Sequence, residues 1–121
     1  MPTLDWTKLH SIAALATEVL PVAVQEASTG QVLMVAYVNR QAVEESIERG
    51  VAVFWSTSKD ALHVKGATSG NVLDLVEVRV NCEDNSLLYR VRTRGSGACH
   101  LSDDQGSPHL SCFFRTLDPA G

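Results

Sequence analysis

The chain has 121 residues, 45% of them hydrophobic and 20% charged, with a formal net charge of −4. That is enough for one domain with one core, and the acidic balance argues against nucleic-acid binding, which needs a clear basic surplus. No apolar run approaches the ~18 residues of a membrane helix, and "MPTLDWTKLH" lacks the basic-then-apolar pattern of a secretory leader, so a cytoplasmic protein is expected.

In chain order, "WTKLHSIAALATEV" can hold a first helix. "LPVAVQEASTGQVLMVAYVN" reads as a hairpin: Val22 and Val24 alternate, Ser28 to Gly30 turn, and residues 31–38 form a mostly buried strand. Asn39 offers an N-cap for "RQAVEESIER", with Ala42, Val43 and Ile47 on one face and Gly50 as the stop. "VAVFWSTS" is a further apolar strand. "NVLDLVEVRV" alternates, with Val76, Val78 and Val80 on one face; "CEDN" turns and "SLLYRVRTR" returns antiparallel. That return would set Arg90, Arg92 and Arg94 on one strand face, as a solvated or an anion-facing stripe. "LSCFFRTL" is predicted as a last strand. The expected fold is α+β, mainly antiparallel strands with one or two helices, in a single domain over residues 1–121.

Three polar loops are where chemistry is to be sought. "STSKDALHVKGATSGN" combines two lysines, Lys59 and Lys65, with hydroxyls and glycines, the parts of a phosphate cradle. "NCEDNS" sets Cys82 among carboxylates and amides, either a plain hairpin turn or a site for a hard cation. "GACHLSDDQGSPHLSCFFR" carries Cys99 and Cys112 around a polar run. Three cysteines without a CxxC pair, in a reducing compartment, leave buried thiols, a nucleophile or thiolate metal ligands. Three protein ligands with one open position is the arrangement of catalytic zinc, which yields hydroxide near neutral pH. His100, beside Cys99, has the pKa range for proton transfer.

The stretches "VQEASTGQVLMVAYVN", "FWSTS", "KGATSGN", "RVNC", "GACH" and "SCFFR", in this order over residues 20–115, resemble the phosphoribosyl-AMP cyclohydrolase family of histidine biosynthesis. The resemblance implies an intertwined homodimer with a zinc site shared across its interface. It also implies a phosphorylated, nucleotide-like substrate whose purine ring is opened by adding water at C6 and breaking the N1–C6 bond. Carried over residue by residue, it puts the zinc thiolates on Cys99 and Cys112, with Cys82 of the partner subunit as the third. It puts proton transfer on His100 and substrate contacts on Ser56, Lys59, Lys65, Thr68, Ser69, Gly70 and Asn71.

The chain departs from that pattern in several places. The family's Asp-Cys-Asp-x-Asp, which holds magnesium, stands here as Asn81-Cys82-Glu83-Asp84-Asn85. Neutral amides replace two of the three carboxylates, so magnesium binding at Asn81, Glu83 and Asn85 is expected to be weak or lost. The family's "WSRSR" is Trp55-Ser56-Thr57-Ser58-Lys59, which removes one arginine and turns another into lysine, without the bidentate fork. His63 replaces tryptophan, Ala67 replaces glutamate, and "LSDDQGSPHL" is longer and more acidic than the family's loop. Asp103 and Asp104 either substitute for the lost carboxylates or belong to a surface turn, and His109 is a candidate fourth zinc ligand. The expected activity is the family's zinc-dependent cyclohydrolase reaction. The alternatives are a divergent zinc hydrolase or deaminase on another heterocycle, or a catalytically silent zinc-binding paralogue.

Overall fold

A computed structural model describes residues 3–95, 97–99, 101–107 and 109–117. The order of elements is α1 (Lys8–Ala13), β1 (Leu20–Glu26), β2 (Val32–Val38), α2 (Arg40–Arg49), β3 (Val53–Ser56), β4 (Ala61–Val64), β5 (Leu73–Val80) and β6 (Leu87–Thr93). The architecture is α+β, as expected. Four strands form a sheet in the order β2-β1-β6-β5, and β3 with β4 makes a separate two-stranded sheet.

β1–β2 and β5–β6 are the antiparallel pairs expected from the sequence. The central pairing of β1 with β6 is parallel, so the four-stranded sheet is mixed, while the other three strand pairings are antiparallel, in line with the mainly antiparallel reading. Nothing local encodes that contact: the two strands lie some sixty residues apart and meet only because both bury one face. Val22 and Val24 on β1 align with Leu87 and Tyr89 on β6, and that face packs under α2 and β3.

α2 starts and stops for the reasons read from the sequence. The Asn39 side chain accepts the Ala42 N–H at 2.9 Å, and Gly50 closes the helix with φ of +70°. Its buried face differs from expectation. Ala42 and Ser46 point inward and Ile47 is 62% exposed. The reason is a buried hydrogen-bond hub: Ser46 Oγ accepts the Val53 N–H at 2.9 Å and the Tyr89 hydroxyl at 3.0 Å. Tyr89 also stacks on Phe54, with ring centroids 6.0 Å apart. One serine therefore ties α2 to both sheets.

Three other expectations change. Val76 sits at an irregularity in β5 between Leu75 and Glu77 and is exposed, as is Val80 at the end of the strand, while Val78 packs on the core. Residues 32–38 are less buried than predicted, with Val32 and Val35 about half exposed. Residues 110–117 are not a strand: the segment meets β2 through isolated bonds, the Cys112 N–H to Leu33 O at 2.7 Å and Ser111 Oγ to Val32 O at 2.8 Å. Conversely, β4 lies inside the stretch read as a loop, where Leu62 and Val64 alternate toward the core.

Candidate active site

The "KGATSGN" loop leaves β4 and folds tightly back on itself. The Lys65 N–H donates to Ala52 O at 3.2 Å, and the Gly70 N–H donates to Gly66 O at 2.8 Å. Gly66 has φ of +78°, and a Cβ there would lie 2.2 Å from the Asn71 carbonyl carbon. A Cβ on Gly95 would lie 2.0 Å from Asn71 Oδ1. Asn71 is thus wedged between two glycines that have to be glycine, one in its own loop and one just after β6. Gly95 had no motif to mark it; only the close approach reveals its part. The wedge leaves Thr68, Ser69 and Gly70 exposed and Lys65 half-buried, and sets them beside the chain running on to Cys99.

That chain makes a tight return. The Ala98 N–H donates to Leu110 O and the Cys99 N–H to His109 O, each at 3.0 Å, and the His109 N–H donates to Leu101 O at 3.1 Å. Asp103 Oδ1 accepts the N–H groups of Gln105 at 2.9 Å and Ser107 at 3.0 Å. Asp103 is therefore the cap of an ordered turn, the structural one of its two expected roles, while Asp104 is exposed in that turn. The imidazole of His109 lies flat on Phe114, with centroids 3.8 Å apart and planes 4° from parallel. His100, the expected proton-transfer residue, lies outside the described residues.

The return brings Cys99 and Cys112 together. Cys99 is only 4% exposed and its Sγ accepts the Leu101 N–H at 3.4 Å; Cys112 is half-buried. Burial pushes the Cys112 thiol up to about 11, the adjoining Cys99 thiol adds to the rise, and Lys65 offsets part of it. The thiol pair and the "KGATSGN" lysine thus share one site.

Cys82 does not join them. It is exposed in the β5–β6 turn, whereas Cys112 bonds to β2 at the opposite side of the sheet. Two to three strand spacings of about 4.8 Å and some five residues at about 3.3 Å separate them, on the order of 20 Å. Among the described residues no three His, Cys, Asp or Glu side chains converge on a metal position.

The turn around Cys82 is closed by its own amides. Asn81 Oδ1 accepts the N–H groups of Asn85 at 2.9 Å and Ser86 at 3.0 Å, and Asn81 Nδ2 donates to Asn85 Oδ1 at 2.8 Å. Both amide oxygens are already engaged within the turn, and the exposed Glu83 and Asp84 are the carboxylates left there. This is a poor donor set for magnesium, a hard cation that wants octahedral oxygen ligands.

The β3–β4 hairpin carries the remaining expected residues. Ser56 Oγ lies 3.3 Å from Ser58 Oγ and accepts the Lys59 N–H at 3.3 Å, and Lys8 Nζ donates to Thr57 Oγ1 at 2.5 Å. The arginine stripe on β6 is not a free anion site. Arg90 pairs with Glu77 at 3.0 Å, Arg94 pairs with Asp74, and Arg92 is exposed.

A sequence model of the family "Phosphoribosyl-AMP cyclohydrolase" matches residues 34–114, which include the "KGATSGN" loop and all three cysteines. The chain belongs to the phosphoribosyl-AMP cyclohydrolase family. Proteins named phosphoribosyl-AMP cyclohydrolase are similar over most of its length. The one from Desulfatibacillum aliphaticivorans is 41% identical over 99 residues, covering 82% of this chain and 74% of the relative. The one from Natronomonas pharaonis is 44% identical over 101 residues, 84% and 78% of the two chains. The match to the Methanosarcina barkeri protein is 41% over 117 residues, covering 97% of this chain and 82% of the relative. The family is one of ring-opening hydrolases, and the chain is an enzyme of that class.

Proposed function

We propose that the protein opens the purine ring of phosphoribosyl-AMP in histidine biosynthesis, as a cytoplasmic homodimer. The observation that carries the reading is the buried Cys99–Cys112 thiol pair set beside the "KGATSGN" loop. In the reaction the water oxygen bonds to C6, the N1–C6 bond breaks, and N1 takes up a proton.

Zinc fits the donor set. Two sulfurs lie side by side, with Lys65 acting to ease the ionisation of Cys112. The residues that would hold the ion are Cys99 and Cys112, with Cys82 of the partner subunit as the third. That division is supported by the distance between the two corners of the sheet, which no single chain can close. A zinc ion held there supplies hydroxide at neutral pH. The remaining work falls to the chain itself. Burial of Cys99 keeps bulk water from one side of the site, and the Gly66–Asn71–Gly95 wedge holds Thr68, Ser69 and Gly70 ready to orient the substrate. His100 is assigned the proton that N1 receives. Magnesium is not assigned to the Cys82 turn, because its amide oxygens are spent on the turn itself.

The test is turnover of phosphoribosyl-AMP by zinc-loaded protein, together with rescue of a histidine auxotroph. Turnover, and zinc that is lost on Cys99→Ser, is the expected result. A well-folded, zinc-replete dimer without turnover would refute the reading and favour a zinc hydrolase or deaminase with another substrate. The altered hairpin and the amide-closed turn are the observations that keep that second reading alive. A folded dimer without zinc would leave neither.

A further inference from the structure

Four of the ten lysine and arginine side chains are held in ion pairs. Arg49 pairs with Glu45 at 2.6 Å, Arg79 and Arg90 share Glu77, and Arg94 pairs with Asp74. Lys59 and Lys65 form no ion pair with any described residue, although both stand on the same hairpin. His63 lies between them. On β4, alternation puts His63 on the same side as Lys65, and Lys59 sits in the turn that feeds the strand. His63 pairs in register with the buried Phe54, so its exposed ring stands at the rim of the core. Ser56 and Ser58 place their hydroxyls at the turn end of the same hairpin.

We propose that Lys59, His63 and Lys65 form one anion subsite that takes a phosphate monoester of the substrate, and that His63 makes its occupancy depend on a proton. This rests on the reading that the substrate is a phosphorylated nucleotide. Two ammoniums without counter-charges and a ring between them suit a dianion better than any neutral group. The proton linkage follows from the surroundings of the imidazole.

In the free protein, partial desolvation at the rim of the core holds His63 below the usual histidine range, and Lys65 and then Lys59 add to that by repelling the imidazolium. The other charges nearby do not reverse this. Asp60 in the turn accepts from Trp55 Nε1 at 2.9 Å, and Phe54 on β3 does not titrate. Packed against β4, α2 carries Glu44, Glu45 and Glu48, of which Glu45 is tied to Arg49. A bound dianion cancels the lysine repulsion and raises the histidine pKa, so a proton enters with the anion. By linkage, affinity is weakest at high pH, where the ring is neutral in both states. It rises as pH falls through the bound-state pKa and levels off below the free-state pKa.

Sulfate is the probe, because it stays a dianion throughout the range and adds no titration of its own. With zinc-loaded protein, the ring resonances of His63 are followed by NMR between pH 6 and 8, with and without sulfate. Sulfate is expected to raise the His63 midpoint and to bind about three- to tenfold more tightly at pH 6 than at pH 8. His63→Gln should remove that slope while keeping the melting temperature. Lys59→Met should weaken sulfate at both pH values and raise the free His63 midpoint. An unmoved midpoint, or the same slope in His63→Gln, overturns the subsite. Turnover of phosphoribosyl-AMP on the same samples separates the two ideas. Active protein with no proton-linked sulfate sinks the subsite alone; inactive protein with proton-linked sulfate sinks the substrate reading alone.

Discussion

Replacing Gly66 by alanine tests whether the substrate loop depends on space rather than on backbone conformation alone. Gly50→Ala is the control, because both glycines have left-handed φ, +78° and +70°, but nothing lies within 4 Å of a Cβ at Gly50. A left-handed L-residue costs about 1–2 kcal/mol, and that is the whole cost at Gly50. It should lower the melting temperature by about 3–10 °C in a domain of this size and leave turnover alone. At Gly66 the same strain applies, and the new carbon would also stand 2.2 Å from the Asn71 carbonyl carbon. That neighbour is backbone and cannot swing aside as a side chain could. Reaching ordinary van der Waals contact at 3.4 Å requires the loop to open by 3.4 − 2.2 = 1.2 Å. A displacement of about 1 Å in a positioning group can cost on the order of 100-fold in rate. Thermal unfolding by circular dichroism and kcat/KM for phosphoribosyl-AMP are the two readouts. Gly66→Ala should lose clearly more than Gly50→Ala in both. Equal melting temperatures with kcat/KM unchanged would show that the Gly66–Asn71 contact does not hold the loop.

Ser46→Ala should cost about 2–5 kcal/mol by denaturant unfolding, because it strips the Val53 N–H and the Tyr89 hydroxyl of a buried acceptor at about 1–3 kcal/mol each; Tyr89→Phe should cost only about 1 kcal/mol, and equal losses would refute the hub. In zinc-free protein the Cys112 pKa is raised from 9.0 to about 11, so folding favours the protonated thiol. The stability it contributes is present below pH 9 and should fade as pH rises through 11, an alkaline loss that Cys112→Ser should lack. Magnesium added to zinc-loaded protein should change neither its melting temperature nor its turnover, whereas Asn81→Asp with Asn85→Asp should bind magnesium by calorimetry. A wild-type protein that already binds it would overturn the reading of the turn.

What was legible in the sequence follows the range of the interactions involved. Asn39, Gly50 and the β1–β2 and β5–β6 hairpins are written locally, by a cap, a left-handed stop and short turns, and all were read correctly. The parallel β1–β6 pairing, the inward turn of Ser46 and the wedge of Asn71 against Gly95 are agreements between distant segments, which no window of sequence contains. The last predicted strand failed for a related reason. "SCFF" has the composition of a strand, but Ser111 spends its hydroxyl on Val32 O and the segment meets β2 at single points rather than along a ladder. β4 was missed in the opposite sense: lysines, hydroxyls and His63 disguised two inward-facing aliphatic residues. At the site, Cys99, Cys112 and the "KGATSGN" loop could be named from motif order, but only their adjacency shows that Lys65 acts on Cys112.

The two altered regions bear on each other through charge. If the Cys82 turn holds no divalent ion, the positive charge that an anionic substrate needs has to come from side chains or from bound protons. Two arginines of the stripe on and just after β6 cannot supply it, since Arg90 and Arg94 are already paired with Glu77 and Asp74. Lys59 and Lys65 can, and a third positive charge that is present only with the anion comes from His63. A permanent third cation between two lysines would repel both in the free protein, whereas a titrating ring avoids that cost until the anion arrives. Set against the pattern that the resemblance implies, asparagine for aspartate around Cys82 and the histidine on β4 would then be two parts of one change, from a site charged by a metal to a site charged by a proton. That linkage predicts a cross-effect: restoring the two aspartates should leave the pH slope of sulfate binding at His63 intact in magnesium-free buffer and shrink it when magnesium is bound close enough to share the anion. A slope indifferent to magnesium in the restored variant would mean that the two departures are independent.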